Sequence, residues 1–221
     1  MAFDPKCKAA LQPDDEGDVV LRAGRDYKPG EPLEVWSGPQ PNARLLLNYG
    51  FAELDNPHDR VTIRSELDSS DSLYRFKRST LAASGKPSMS EFDVRPERPL
   101  PEGLLPFLRV CVAQSEDEAR SVELRADQEV DKPLEGAVSG TNERMSLAAL
   151  VKVVDERLRR YPHSLAETEE EIKTPGSPRA YESAKLKASE MRLLNELRKA
   201  CLIDNRVAEL AMGSISGVLL S

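Results

Sequence analysis

The sequence has few of the residues that usually hold metal ions. Its 221 residues include two histidines and three cysteines. The cysteines are widely spaced and form no CxxC pair, whereas a zinc site needs four clustered nitrogen or sulfur ligands. We therefore predict no metal site, and we interpret Cys7, Cys111 and Cys201 as reduced, small apolar residues of a core.

Long apolar runs and an excess of basic residues are also missing. No stretch approaches the roughly 18 apolar residues that cross a bilayer, so we predict no membrane segment. The net charge of −7 argues against nucleic acid as a direct ligand, because such binding needs lysine and arginine to displace counterions. The first residues are acidic and lack an apolar core, so no signal or transit peptide is visible.

The first 65 residues contain the patterns of short strands and tight turns. Residues 18–22, 33–36 and 61–63 are rich in β-branched and apolar residues, which predicts three strands. Pro29 and Gly30 are placed as in a type II turn. Asn42 is a candidate N-cap for a short helix that continues through three leucines.

From residue 66 onward the pattern is mainly helical, with an extended piece at 91–94. Capping signals mark two helix starts, the Ser164–Glu167 capping box and Ser177 before Pro178. The polar, acidic stretch 115–142 is weakly periodic, and we predict a flexible loop there. Two helices are predicted at 72–83 and 104–113, and a short acidic one after Ser164. A further helix has the apolar face Leu147, Leu150, Val151, Val154 and Leu158. The long helix after Ser177 has the apolar stripe Leu186, Leu193, Leu197, Ala200, Cys201, Ala208 and Ala211. The predicted fold class is α+β.

Residues 25–59 carry several short motifs in a fixed order. They are a turn with Arg25, Tyr27, Gly30 and Glu31; then Gly38; then Asn42, Leu45, Leu46, Tyr49, Gly50 and Phe51; then Asp55, Asn56, Pro57 and Asp59. This succession resembles the C-terminal part of the SET domain in the Rubisco large-subunit and aldolase lysine methyltransferase family. The GPQPN and LLNYGF segments are similar to the plastid transcriptionally active SET-domain branch, which is associated with the plastid RNA polymerase complex.

The resemblance implies a domain organisation. Residues 1–65 would be the C-terminal part of a truncated SET domain. Residues 66–213 have the length and helical character of the family's substrate-binding domain, with the flexible acidic loop at about 115–142 inside it. Residues 214–221 would form a tail. A protein substrate or partner would bind through the helical domain.

The resemblance also implies a chemistry, the transfer of a methyl group from S-adenosylmethionine to a lysine. Tyr49 would be the catalytic residue, since a hydroxyl at this position orients the lysine nitrogen for in-line attack. Phe51 and Gly50 are the predicted cofactor-binding residues. Phe51 would form an aromatic wall, and Gly50 would allow a tight backbone turn between Tyr49 and Phe51. The alternative is that Tyr49 and Phe51 are core aromatics at the end of a short helix.

Other parts of the family's cofactor site are missing from these residues. No Asn-His pair occurs, no glycine-containing cofactor loop precedes the motifs, and Ser37 stands where many members have a tyrosine. We therefore expect the chain, as given, to be inactive and not to bind S-adenosylmethionine.

Two kinds of function remain open at this point. The first is a fragment or truncated member of a protein-lysine N-methyltransferase family that acts on a plastid protein, with a plastid location implied by the resemblance. The second is a non-enzymatic protein-binding module or structural subunit, for example in a plastid transcription complex.

Overall fold

A computed structural model of the chain describes residues 9–31, 38–122, 137–202 and 218–220. The chain divides into two compact units, residues 1–40 and residues 41–221. The N-terminal unit contains one antiparallel hairpin, formed by β1 (Ala10–Pro13) and β2 (Val19–Arg22). The predicted strand at 18–22 is confirmed, and the one at 33–36 lies outside the described residues.

The C-terminal unit contains a three-stranded antiparallel sheet. Its strands are β3 (Val61–Leu67), β4 (Met89–Val94) and β5 (Val218–Leu220), and β3 lies in the middle. Buried and exposed residues alternate along β3, so one face of this strand packs on the core. The predicted strand at 61–63 and the extended piece at 91–94 are confirmed.

Seven helices are described, and all of them belong to the C-terminal unit. Together with the short strands they confirm the predicted α+β class. They are α1 (Asn42–Tyr49), α2 (Tyr74–Ala83), α3 (Leu104–Val112), α4 (Glu116–Arg120), α5 (Gly140–Leu158), α6 (Leu165–Lys173) and α7 (Pro178–Cys201).

Local capping explains where the last two helices begin. Ser164 Oγ accepts a hydrogen bond from the Glu167 N–H, and the Glu167 carboxylate accepts one from the Ser164 N–H, which completes the predicted capping box of α6. Ser177 caps α7 ahead of Pro178, as predicted. The prediction for α1 is wrong by one residue. Pro41 is the N-cap, and Asn42 is the first helical residue, because its side chain is used in tertiary contacts.

The stretch 115–142 is helical at both ends instead of being one loop. Ser115 caps α4 by accepting from the Glu118 N–H, and Ser139 caps α5 by accepting from the Asn142 N–H. Polar residues that cap helices look like loop residues in a hydropathy pattern, which is why the two ends were interpreted as loop. Residues 123–136 lie outside the described part of the chain.

The core of the C-terminal unit surrounds α3, whose nine residues are all buried. It packs against α2, α4 and α5, and α5 packs in turn against α7. From the predicted stripe of α7, Leu193, Leu197 and Cys201 are buried. The free thiols of Cys111 and Cys201 lie in this core, and burial raises the pKa of both, that of Cys201 to about 12. Cys7 lies outside the described residues.

A buried ion pair joins α3 to α5. Arg109 donates from Nε to Glu143 Oε2 at 2.7 Å and from Nη2 to Oε1 at 3.0 Å. Both side chains are almost completely buried. Asn142 Nδ2 donates to the Arg109 carbonyl at 2.9 Å, so backbone and side chain of Arg109 are both held by the start of α5. In a buried ion pair of this kind, removal of either side chain leaves the other charge buried without compensation, which destabilises the fold.

The predicted division at residue 65 falls inside β3, while the C-terminal unit begins at residue 41. The predicted tail at 214–221 contains β5, whose backbone pairs with β3. Among the described helices, none has the length and apolar character needed to span a membrane.

We expect Arg109→Met to lower the free energy of unfolding by about 3–5 kcal/mol, because it leaves the Glu143 carboxylate buried without its partner. The double change Arg109→Met with Glu143→Leu should recover most of this loss. The measurement is urea unfolding followed by circular dichroism. As a control, Arg98→Met removes the exposed Arg98–Glu102 pair and should cost less than about 1 kcal/mol. Equal costs for the two single changes would contradict this prediction.

Candidate functional site

The predicted site residues lie together in one turn at the end of α1. Gly50 has a φ of 79°, and its N–H donates to the Leu46 carbonyl, which ends the helix. The left-handed backbone at this position favours glycine. Beyond it, the Phe51 ring lies 6.2 Å from the Tyr49 ring, centroid to centroid. The turn therefore has one aromatic side chain on each side of a glycine.

Tyr49 is not a core residue. Its exposed fraction is 53%, and Phe51 is half-buried. Leu47, at 83% exposed, and Leu54 are also open to solvent, so large apolar side chains are concentrated on the surface between residues 47 and 54. The exposure of Tyr49 argues against its being a packed core aromatic in this structure.

Asn42 ties α1 to the segment that follows it. Its Nδ2 donates to the Glu53 carbonyl at 2.8 Å and to Asp59 Oδ2 at 3.0 Å. Its Oδ1 accepts from the Glu53 N–H at 2.9 Å and from Asn56 Nδ2 at 3.2 Å. The residue is fully buried, so its amide is satisfied entirely by protein groups. Asn42 thereby folds residues 42–59 around its own side chain.

Asp59 fixes this folded segment to α7. Its carboxylate is buried and accepts hydrogen bonds from the Asn42 N–H at 2.8 Å, from the Arg60 N–H at 3.0 Å, from Asn42 Nδ2 and from the Ser189 hydroxyl. Four donors around one carboxylate replace the water that burial removes. Ser189 lies in α7, so this cluster connects residues that are 130 positions apart.

A second contact with α7 lies next to the aromatic turn. The buried Ala52 N–H donates to Glu182 Oε2 at 2.7 Å. Lys185 Nζ lies 2.7 Å from the same oxygen, and it also lies 4.6 Å from the centroid of the Tyr181 ring. The N-terminal half of α7 thus carries a polar face that holds the segment after Tyr49.

The family-like motif therefore separates into two groups of residues. Asn42, Leu45, Asn56 and Asp59 are buried and hold the segment in place, whereas Tyr49 is exposed. Sequence reasoning did not identify Glu182 or Ser189. Glu182, Lys185 and Ser189 have helical spacing on one face, but polar residues at such spacing usually indicate a solvated surface.

The Arg25–Glu31 motif forms a turn in the N-terminal unit. The Glu31 N–H donates to the Lys28 carbonyl at 3.0 Å, and Gly30 has a φ of 82°, which confirms the predicted type II turn. Arg25 donates to the Glu31 carboxylate at 2.5 Å and lies over the Tyr27 ring at 4.1 Å. The hydrogen bond from Arg25 lowers the pKa of the Glu31 carboxyl below its usual value.

Tyr49 and Phe51 place two aromatic side chains at or near the surface, and a small-molecule site needs several enclosing walls. Two open clefts lie elsewhere, one of about 710 Å³ beside β4 and one of about 310 Å³ at the start of α2. Within the described ranges, no cluster of three or more histidine, cysteine, aspartate or glutamate residues is placed to hold a metal ion.

Residues 68–210 match the model of a protein family described as Rubisco LSMT substrate-binding. The match covers more than half of the chain and includes α2 to α7. It begins directly after β3 and contains both Glu182 and Ser189, the α7 residues that contact the segment around Tyr49.

Curated relatives carry the name actin-histidine N-methyltransferase. Those of Mus musculus and Homo sapiens are 30% identical over 199 residues, which is 86% of this chain and 33% of theirs. The Xenopus tropicalis protein is 38% identical over 120 residues, which is 54% of this chain and 20% of that protein. The chain spans about a third of the length of the mouse and human relatives that it matches.

Solved structures of a Rubisco LSMT share the fold. The structure titled as bound to sinefungin and monomethyllysine has a TM-score of 0.67 at 23% identity, covering 88% of this chain and 44% of that one. The structure titled as bound to AdoMet has a TM-score of 0.67 at 24% identity, covering 83% of this chain and 43% of that one. At this level of identity the similarity concerns the fold, and it agrees with the α+β class.

We expect Asp59→Ala to lower the free energy of unfolding by roughly 3 kcal/mol or more, because it leaves several buried donors without an acceptor. Asp59→Asn retains one carbonyl oxygen and should have a smaller effect. The measurement is urea unfolding monitored by circular dichroism. Asp55→Ala changes an exposed aspartate of the same motif and should cost less than about 0.5 kcal/mol. A similar cost for Asp55 and Asp59 would contradict the structural role of Asp59.

Proposed function

Because the chain belongs to the Rubisco LSMT substrate-binding family, we propose that it is the acceptor-side part of a protein N-methyltransferase. In this proposal, Tyr49 is the catalytic residue and the helical region, residues 66–213, binds the protein substrate. The observation that supports it is the position of the turn. Tyr49 is exposed, yet its backbone is fixed through Asn42, Asp59 and Glu182 to the helical region.

The residues present suit the task of orienting an acceptor nitrogen. A tyrosine hydroxyl accepts a hydrogen bond from a primary amine or an imidazole N–H and so holds the nitrogen lone pair in one direction. The Phe51 ring beside it excludes water from one side of the turn. Gly50 permits the left-handed backbone that separates the two rings. S-adenosylmethionine would supply the methyl group, with Phe51 and Gly50 on the cofactor side.

The acceptor is a nitrogen of a protein side chain, for which two residue types are candidates. The sequence motifs indicate a lysine, whereas the curated relatives are named for a histidine of actin. Both are nitrogen nucleophiles that a hydroxyl can orient in their neutral form. We propose lysine as the acceptor and treat histidine as the alternative that the assay distinguishes. The predicted plastid substrate and plastid location stay predictions, and the curated relatives reported above are animal proteins.

The first test is methyl transfer by the protein expressed from its complete transcript. Tritiated S-adenosylmethionine is supplied with Rubisco large subunit or with actin, and mass spectrometry identifies the methylated residue. We expect Tyr49→Phe to reduce the rate by about a hundredfold, because it removes a hydroxyl that acts at the reacting nitrogen.

Thr62→Val, which removes an exposed hydroxyl on β3 outside both the Tyr49 segment and residues 66–213, serves as the control and should leave the rate unchanged. An undiminished rate in Tyr49→Phe would contradict the catalytic role. Methylation of neither protein would favour the alternative, a non-enzymatic binding module or structural subunit.

The second test concerns the 221-residue chain by itself. We expect isothermal calorimetry to detect no saturable binding of S-adenosylmethionine up to about 1 mM, because the described residues form only one wall of the cofactor pocket. Micromolar binding that disappears in Phe51→Ala would show that this chain contains the cofactor site.

A further inference from the structure

We propose that Glu182 is a positioning residue for the Tyr49–Gly50–Phe51 turn. Its carboxylate holds the backbone directly after Phe51 and thereby sets the direction in which Tyr49 projects. The catalytic meaning of this inference rests on the proposed role of Tyr49. The contact itself is a property of the chain and can be measured without any activity.

The contact combines a short hydrogen bond with a buried donor. The Ala52 N–H donates to Glu182 Oε2 at 2.7 Å, and Ala52 is 1% exposed. A hydrogen bond from an amide to a carboxylate is about twice as strong as one between neutral groups. A buried backbone N–H that loses its acceptor raises the free energy of the folded state, so the hydrogen bond to Glu182 restrains the backbone at Ala52.

Glu182 is itself held in place by its own helix. Lys185 lies one turn further along α7, and its Nζ is 2.7 Å from the same Oε2 that accepts from Ala52. The Tyr181 ring lies 4.6 Å from this ammonium group, which adds a cation–π contact. The side chains of Glu182 and Lys185 are 20% and 11% exposed, so both are largely removed from water. The Glu182 carboxylate that accepts from the Ala52 N–H is therefore held in place on the 24-residue helix α7.

Both ends of the aromatic turn are then fixed. On one side, the Gly50 N–H bonds to the Leu46 carbonyl and closes α1. On the other side, the Ala52 N–H bonds to Glu182. Only Gly50 and Phe51 lie between Tyr49 and Ala52, so the orientation of the Tyr49 side chain depends on both attachments. A displacement of about 1 Å at a positioning contact is enough to reduce catalysis strongly.

The contact at Glu182 differs in kind from the one at Ser189. Ser189 lies seven residues later in α7, two helical turns along the same face, and it anchors Asp59 and with it the whole segment from Asn42. Glu182 instead contacts the backbone directly after the turn, at Ala52. We therefore expect changes at Asp59 to act on the stability of the fold, and changes at Glu182 to act on the geometry of the turn.

The first experiment measures amide hydrogen exchange in the 221-residue chain by NMR. In Glu182→Ala, the Ala52 amide should exchange at least about tenfold faster, while amides of α3 keep their rates. Glu182→Gln retains an acceptor oxygen and should restore most of the protection. The matched control is Glu196→Ala, which removes an ion pair of the same spacing, Glu196 to Lys199 at 2.6 Å, from the same helix. An unchanged Ala52 rate, or an equal acceleration throughout α3, would overturn the proposal.

The second experiment measures steady-state kinetics of the protein from its complete transcript. Glu182→Ala should lower kcat by about tenfold and leave KM for the protein substrate within about twofold, and Glu182→Gln should recover most of kcat. A higher KM at unchanged kcat would assign Glu182 to substrate binding and overturn the positioning role. If the unsubstituted protein transfers no methyl group, the proposed function fails, and the amide exchange result alone then decides the Glu182 contact.

Discussion

The buried carboxylate of Asp59 is the constraint on which the candidate site depends. It accepts hydrogen bonds from the backbone and side chain of Asn42 and from Ser189, so three separate parts of the chain meet at one charged group. A buried carboxylate tolerates few alternative arrangements, because water cannot enter to replace a hydrogen-bond donor that is lost. The segment with the aromatic turn is thereby held on α7 in one position.

This arrangement explains why a motif that looks catalytic consists mostly of structural residues. Asn42, Asn56 and Asp59 lie inside the hydrogen-bonded cluster and have no exposed surface with which to contact a substrate. Tyr49, by contrast, is exposed to solvent. The other motif residues matter because they place the backbone from which Tyr49 projects. The buried members of the motif thus support the backbone that carries Tyr49.

The helical region has two roles in this interpretation. It matches a family described as substrate-binding, and its last helix also holds the segment that carries Tyr49. A protein substrate that docks on these helices would therefore be located relative to Tyr49 by a continuous set of contacts. The chain spans about a third of the length of its mouse and human relatives.

Local signals predicted most of the secondary structure because they act over a few residues. The Ser164–Glu167 capping box, the N-cap Ser177 and the alternation along β3 all depend on neighbours within one or two turns or pleats. The same kind of signal predicted the short helix through the three leucines that precede Tyr49. These features follow from the sequence without knowledge of what packs against them.

Only the tertiary structure decided the exposure of Tyr49, the burial of Asp59 and the contact between Glu182 and Ala52. The partners in the two contacts with α7 are 130 residues apart, and a polar residue on a helix gives no local sign of whether it faces water or a distant backbone N–H. That choice depends on how α7 packs, and packing is a property of the whole C-terminal unit. The sequence by itself determined the helix, the glycine and the tyrosine, whereas the packing of α7 determined where they are held.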